Sequence, residues 1–172
     1  DDLLKWCAAN KMYLILDLHA APGGQGKDAN ISDYDETKPS LWESEANKKK
    51  IIAFWAALAK RYKDEPWIGG YDIINEPNWN FTGTNINGCD ENSNAPLRDL
   101  MVDITKTIRE VDKNHLVIIE GNCWGNNYNG IFPLWHENMA LSFHKYWNYN
   151  NTEAIQKFLD LRRELNVPVW LG

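Results

Sequence analysis

Apolar residues fall along this chain in two alternating kinds of block. Short uninterrupted runs occur at Met12–Leu18 (MYLILDL), Tyr71–Ile74, Leu116–Ile119, Met139–Phe143 and Val167–Leu171. They are rich in β-branched and aromatic residues and too short for typical helices, so they are predicted strands. Their continuity, without polar alternation, means that both faces are buried, as in a parallel sheet covered by helices. Between them apolar residues recur every three or four positions: Leu3, Leu4 and Cys7; Ile51, Ile52, Trp55, Leu58, Ala59 and Tyr62; Leu97, Leu100, Met101, Ile104, Ile108 and Val111; Ile155, Phe158, Leu159, Leu161 and Leu165. These stripes predict helices. The first is expected to stop at a left-handed Asn10. The second opens on a capping box, Ser40-Leu41-Trp42-Glu43, and ends at Lys63-Asp64-Glu65-Pro66. The third is capped by Ser93 or Asn94, and the last starts after Asn151. Residues 125–138 read as a loop with one short helix.

The resulting order is α-β-α-β-α-β-(α)-β-α-β. Each strand runs out into polar or ionisable residues: His19, Asn75-Glu76, Glu120-Gly121-Asn122, and His144 to Tyr146. The opposite ends carry nothing of comparable interest. A doubly wound sheet gathers function at one glycine-rich turn, whereas a barrel draws it from the ends of many strands. The pattern therefore predicts an α/β fold, part of a (β/α)8 barrel. Tyr71-Asp72-Ile73-Ile74-Asn75-Glu76-Pro77 is its most informative stretch. A buried strand stops abruptly there, and Pro77 is expected to keep Glu76 extended. That places a carboxyl at the lip where a barrel enzyme keeps its chemistry.

Composition narrows the function. The 172 residues are 44% hydrophobic and 24% charged, ordinary for one globular domain. A net charge of −6 argues against nucleic acid, which needs a basic face. No apolar run reaches the length of a membrane span. Gly23-Gly24-Gln25-Gly26-Lys27 hints at a phosphate loop, but Ala21 and Asp28 stand where glycine and Ser/Thr are required. There is no Gly-x-Ser-x-Gly elbow, no His-x-His and no His-Glu-x-x-His, so neither a serine hydrolase nor a metal-dependent one is indicated, and no cofactor is expected. Of nine tryptophans, Trp6, Trp55 and Trp170 read as core; Trp79 and Trp124 follow strand ends, where an aromatic face can stack on a sugar ring. Cys7 reads as a buried small hydrophobe. Cys89 and Cys123 lie in loops after consecutive strands. They either pair, as would suit an exported protein, or remain free.

Leu16-Asp17-Leu18-His19, Ile74-Asn75-Glu76-Pro77, His144-Lys145-Tyr146 and Pro168-Val169-Trp170-Leu171-Gly172 occur in the order found in glycoside hydrolase family 5 (cellulase family A), which the chain resembles over essentially its whole length. The resemblance implies barrel strands three to seven of eight. It implies that residues 1–172 are part of a catalytic domain, cut at both ends, from a retaining hydrolase of β-linked glucan of the endo-β-1,4 type. Glu76 matches the acid/base, Asn75 the residue that holds the sugar 2-hydroxyl, and His19 and His144 the substrate-binding and site-shaping histidines. Tyr146 matches the tyrosine that bonds the nucleophile. In the family the last motif runs on into the nucleophile glutamate, whereas this sequence stops at Gly172; the 172 residues alone are therefore expected to be inactive. Polysaccharide or oligosaccharide is the implied partner and a secreted or periplasmic location the implied setting. Three alternatives stay open: a β-1,3-glucanase, which the Asp17-to-Gly24 stretch also resembles, a β-mannanase, and a non-catalytic carbohydrate-binding barrel.

Overall fold

A computed structural model describes residues 1–172. Five strands, β1 (Leu14–Asp17), β2 (Ile68–Asp72), β3 (Leu116–Glu120), β4 (Met139–Phe143) and β5 (Val169–Leu171), pair in sequence order. Every pairing is parallel. The crossovers carry α2 (Glu45–Tyr62), α3 (Ala95–Val111), a single turn α4 (Asn122–Gly125), and a 3-10 turn (Thr152–Ile155) leading into α5 (Gln156–Leu165); α1 (Asp2–Ala9) precedes β1. This is a half-barrel with helices on its outer face.

Alternation along the strands divides the side chains between two faces. Tyr71, Ile73, Val117, Ile119, Met139, Leu141 and Phe143 pack outward with Ile51, Trp55 and Ala59 of α2 and with Leu97, Met101, Ile104 and Ile108 of α3. Trp55 is fully buried and its indole N–H donates to the Ile73 carbonyl at 2.9 Å. The inner face is more polar. The register aligns Asp17 with Asp72, Asp72 with Ile118 and Ile118 with Ala140; the next row aligns Glu120 with Ser142 and Ser142 with Trp170. Register partners in a parallel ladder share a face, so Asp17, Asp72, Glu120 and Ser142 all line the interior. Every residue from Gly70 to Trp79 is buried, whereas the edge strands β1 and β5 are partly exposed because each has one neighbour.

Several local expectations change. The left-handed residue after α1 is Lys11 (φ 57°), not Asn10 (φ −98°). The Ser40–Glu43 box does close, with Glu43 accepting from the Ser40 N–H at 3.0 Å and hydroxyl at 2.8 Å. It closes a turn ahead of α2, however, and Ser44 caps the helix itself by accepting from the Asn47 N–H. Asn94 stands at the N-cap of α3, but its amide is turned to the Asn127 and Asn129 carbonyls. The short helix falls at Asn122–Gly125, ahead of the loop that was expected to hold it. Trp6 is 66% and Trp170 49% exposed, because α1 and β5 lie at the flanks of the sheet. Cys7 is half-buried and free.

The end of the sheet opposite the strand tips is not featureless either. Asp112 and His115, just before β3, meet Tyr71 of β2. The tyrosine hydroxyl donates to Asp112 Oδ2 at 2.7 Å, His115 Nδ1 lies 2.6 Å from the same oxygen, and the His115 and Asn114 N–H groups donate to Oδ1. Burial opposes ionisation of Asp112, but these donors outweigh it and hold its carboxyl below the usual range. Long-range meeting of an aspartate and a tyrosine has no signal in either local pattern. Tyr71→Phe removes one donor from a buried carboxylate and is expected to cost about 1–3 kcal/mol of stability near neutral pH. A depressed carboxyl contributes above its unfolded value, and that contribution disappears as pH falls through the folded one. The deficit of the variant is therefore expected to shrink in acid, as denaturant titrations at several pH values would record.

Candidate active site

The tip of β2 is where local preference and tertiary structure disagree most. Glu76 is not extended: its φ is 45°, in the left-handed region. For a side-chain-bearing residue this costs about 1–2 kcal/mol. Hydrogen bonds hold it there against the preference expected before Pro77. The Glu76 N–H donates to Glu120 Oε2 at 2.9 Å, and the Asn78 amide donates to the Glu76 carbonyl at 2.9 Å. The flanking peptides are tied as well. Asn75 N–H donates to the Leu18 carbonyl, and the Pro77 carbonyl accepts from the Trp124 N–H at 3.0 Å.

The loops around this tip are fastened by buried side-chain amides. Gln25 is fully buried; its Nε2 faces the carbonyls of His19, Ile31 and Asn75 at 2.9–3.0 Å, and its Oε1 accepts from the Ala21 N–H. Glycines that read as a failed phosphate loop thus surround a glutamine that joins the β1 loop to Asn75. On the other side Asn122 accepts from the Trp79 and Cys123 N–H groups and donates to the Trp79 carbonyl and Asn94 Oδ1. Cys123 and Trp124 are both left-handed (φ 55° and 54°). The Cys89 and Cys123 sulfurs are bonded, with Cα atoms 4.8 Å apart, so the α3-side loop and the β3 loop are joined covalently here.

The side chain of Glu76 is 11% exposed, and its Oε1 lies 2.5 Å from His144 Nδ1. The other ring nitrogen, Nε2, lies 3.3 Å from Glu120 Oε1. Sequence reasoning noted Glu120 only as a polar strand end; its contact with both partners was missed because it depends on how β2, β3 and β4 lie side by side. Its position at the end of a strand, in step with Glu76 and His144, was the one available signal. Burial pushes the Glu120 carboxyl up, opposed by its bonds from His144. Burial also pushes up the Asp72 carboxyl, reinforced by the charges of Glu120 and Asp17. For His144 burial would lower the pKa, but the hydrogen bonds and charges of Glu120 and Glu76 prevail and raise it to about 10. The two carboxyl groups thus favour the imidazolium.

Glu76, His144, Trp124, Tyr146 and Trp147 share one open pocket of about 530 Å³. Tyr146 stands edge-on to His144 at 5.9 Å and is 68% exposed; Trp147 is 97% exposed. The remaining candidates lie differently. His19 is on the β1 lip, its Nδ1 3.1 Å from Asp17 Oδ2, outside this pocket's lining. Trp79 is 8% exposed, edge-on to Tyr34 and covered by the Lys27 ammonium at 4.6 Å, so its ring is packed into the loops rather than turned to the pocket. Asn75 is buried, and its amide nitrogen has no partner within the chain. No group of three or more His, Cys, Asp or Glu side chains is disposed to hold a metal ion.

Parallel strands with ionisable groups gathered at their C-terminal tips define the working end of an α/β barrel. The family model for cellulase (glycosyl hydrolase family 5) matches residues 1–172, and the chain belongs to that family. A β-xylosidase of Phanerodontia chrysosporium is 30% identical over 148 residues, 85% of this chain and 28% of that protein. Endoglucanase C of Acetivibrio thermocellus is 30% identical over 150 residues, 87% of this chain and 36% of the relative. The solved endoglucanase Cel5A of Thermotoga maritima superposes with a TM-score of 0.72 at 20% identity, over 100% of this chain and 57% of that one, and so shares the fold. The chain spans about a third of the length of these curated relatives.

The bridge between Cys89 and Cys123 encloses a loop with a sequence separation of 34. A loop of that size restricts the unfolded chain by about 4 kcal/mol. Paired Cys89→Ser and Cys123→Ser substitution is expected to lower stability by about 2–4 kcal/mol in non-reducing buffer. Under dithiothreitol the difference between variant and parent should vanish, which paired thermal melts would check.

Proposed function

We propose that the protein carrying this chain is a retaining glycoside hydrolase of β-linked glucan, of the endo-β-1,4-glucanase type, with Glu76 as its acid/base. The observation that carries the reading is the placement of Glu76: a carboxyl at a strand tip, bordering an aromatic-lined pocket, with Oε1 held by His144. Family membership supports it. Retention needs two carboxyl groups about 5–5.5 Å apart. Glu120 is committed to the Glu76 backbone and His144, so it is not the second. In this reading the nucleophile follows Gly172 in the full-length protein. The surroundings support that: a Cβ on Gly172 would lie 2.6 Å from His144 Nε2 and 3.0 Å from Ser142 Oγ, so the backbone there runs directly beside the Glu76–His144 pair.

Residues 1–172 are then one part of the catalytic domain. Asn75 offers its unpaired amide N–H to a substrate hydroxyl, Trp124 offers a ring face to a sugar, and Tyr146 and His144 shape the site. In this reading Trp79, packed against Tyr34 and Lys27, supports the loop beside the site, and His19 would contact sugar farther along the β1 lip. An oligosaccharide or polysaccharide is the partner. The Cys89–Cys123 bridge suits an exported enzyme. No helix is long and apolar enough to cross a membrane.

Two relatives of equal identity, a β-xylosidase and an endoglucanase, differ in the sugar their names give. The assay panel for the full-length gene product therefore sets carboxymethylcellulose beside xylan, β-1,3-glucan and mannan. Turnover of the β-1,4-glucan with retained anomeric configuration, read by proton NMR of the first-formed product, is expected. Glu76→Gln should reduce kcat by about 10²–10⁴-fold, the range for loss of a general acid. Binding without turnover on every substrate would instead identify a carbohydrate-binding barrel, and inverted product would remove the retaining mechanism.

A further inference from the structure

Glu120 has no part in the proposed two-carboxylate reaction, yet it is the residue most closely built around Glu76. It ends β3 and is 1% exposed, out of reach of substrate. Its two oxygens are divided between two routes to the same neighbour. Oε2 accepts the Glu76 backbone N–H at 2.9 Å; Oε1 faces His144 Nε2 at 3.3 Å, and the far side of that imidazole, Nδ1, lies 2.5 Å from Glu76 Oε1. A buried carboxylate is costly unless paired, so this arrangement needs a reason. With Nδ1 hydrogen-bonded to Glu76 and Nε2 at ion-pair distance from the buried Glu120, the imidazole serves both neighbours best as the cation.

We propose that Glu120 is a positioning residue for the acid/base: it pins the left-handed backbone of Glu76 and, by holding His144 as an imidazolium, makes Nδ1–H a standing donor to Glu76 Oε1, so that the catalytic proton resides on Oε2. The inference rests on the reading of Glu76 as the acid/base. In the first step the nucleophile's oxygen bonds the anomeric carbon as the carbon's bond to the glycosidic oxygen breaks, and the Glu76 Oε2 proton passes to that leaving oxygen. In the second, water attacks that carbon, its proton returns to Oε2, and the nucleophile leaves with its electron pair. His144 and Glu120 exchange no proton in either step.

The groups facing His144 are Glu76 from the β2 tip, Glu120 from β3, the edge of Tyr146 from its own loop and, through charge, Asp72 of β2 and Asp17 of β1. The carboxylates favour the cation, and burial opposes it. Removing the Glu120 charge removes one of the favourable contributions, so the imidazole must lose its proton at lower pH. Glutamine at position 120 keeps an acceptor for the Glu76 N–H and deletes that charge.

The test uses the full-length gene product with isotopically labelled histidine. In the parent, both His144 nitrogens should stay protonated well above neutrality. In Glu120→Gln the titration should fall by about one unit or more. Its kcat should drop by about 10–100-fold, the range for removing a partner that orients a histidine. KM should hold within about threefold, since no substrate contact is lost. The alkaline limb of kcat should move down together with the His144 titration. A His144 neutral at pH 7 in the parent overturns the proposal even where the variant fails to fold. So does a Glu120→Gln enzyme with unchanged titration and kcat. Glu76→Gln run in parallel separates the two readings: if it turns over like the parent, the acid/base assignment fails. If it is impaired while Glu120→Gln is indifferent, only the positioning role fails.

Discussion

A carboxyl group kept inside a wall of buried residues has to be held by donors or lose its charge. That constraint organises this half-barrel. From Gly70 to Trp79 nothing is exposed, and Glu76 sits within that stretch. Its carboxyl is met by His144 from β4 and its backbone by Glu120 from β3, so three neighbouring strands must keep register for one side chain to be placed. The parallel ladder supplies that register, and the outward packing of the same strands on α2 and α3 supplies its rigidity.

The loops beyond the strand tips pack Leu41, Trp42, Trp79, Tyr128 and Ile131 into the core, and polar ties fasten them further. Gln25, Asn78, Asn122 and Asn127 are buried amides that each join segments distant in sequence, and the Cys89–Cys123 bond adds a covalent tie. A primary amide both donates and accepts, so it can satisfy a loop's stranded peptide groups where no sheet or helix is available. The site is thus mounted on polar fastenings above an apolar scaffold. The left-handed residues Glu76, Cys123 and Trp124 lie where those fastenings converge.

Much of the scaffold could be read from the sequence. Four of the five apolar runs hold strands, with β4 spanning the whole of Met139–Phe143; β2 starts ahead of the Tyr71–Ile74 run, at Ile68, and ends within it at Asp72; the helical stripes became α2, α3 and α5. These are legible because burial on both faces leaves a signature in adjacent residues. Glu76 and His144 could be picked out because they terminate such runs. The errors share a cause. Trp6 and Trp170 were read as core from residue type, but exposure depends on what lies beside an element. Glu76 was read as extended from its proline neighbour, but hydrogen bonds from distant strands overrule a local preference of a kcal/mol or so. Glu120 and Asn122 stood out only as polar strand ends and Gln25 only within a glycine-rich run, because their partners lie on segments distant in sequence.

By itself the sequence determined the parallel α/β class and the ending of its strands in ionisable groups, a carboxyl and a histidine among them. Those follow from hydrophobic pattern and from where it stops. Only the tertiary structure decided that His144 lies between two carboxylates, that Glu120 reaches Glu76 by both backbone and imidazole, and that Trp79 belongs to the packed loops while Trp124 borders the pocket. Such facts depend on contacts between residues 44 and 68 positions apart in sequence. No local pattern of polarity encodes them; they are settled when the sheet assembles.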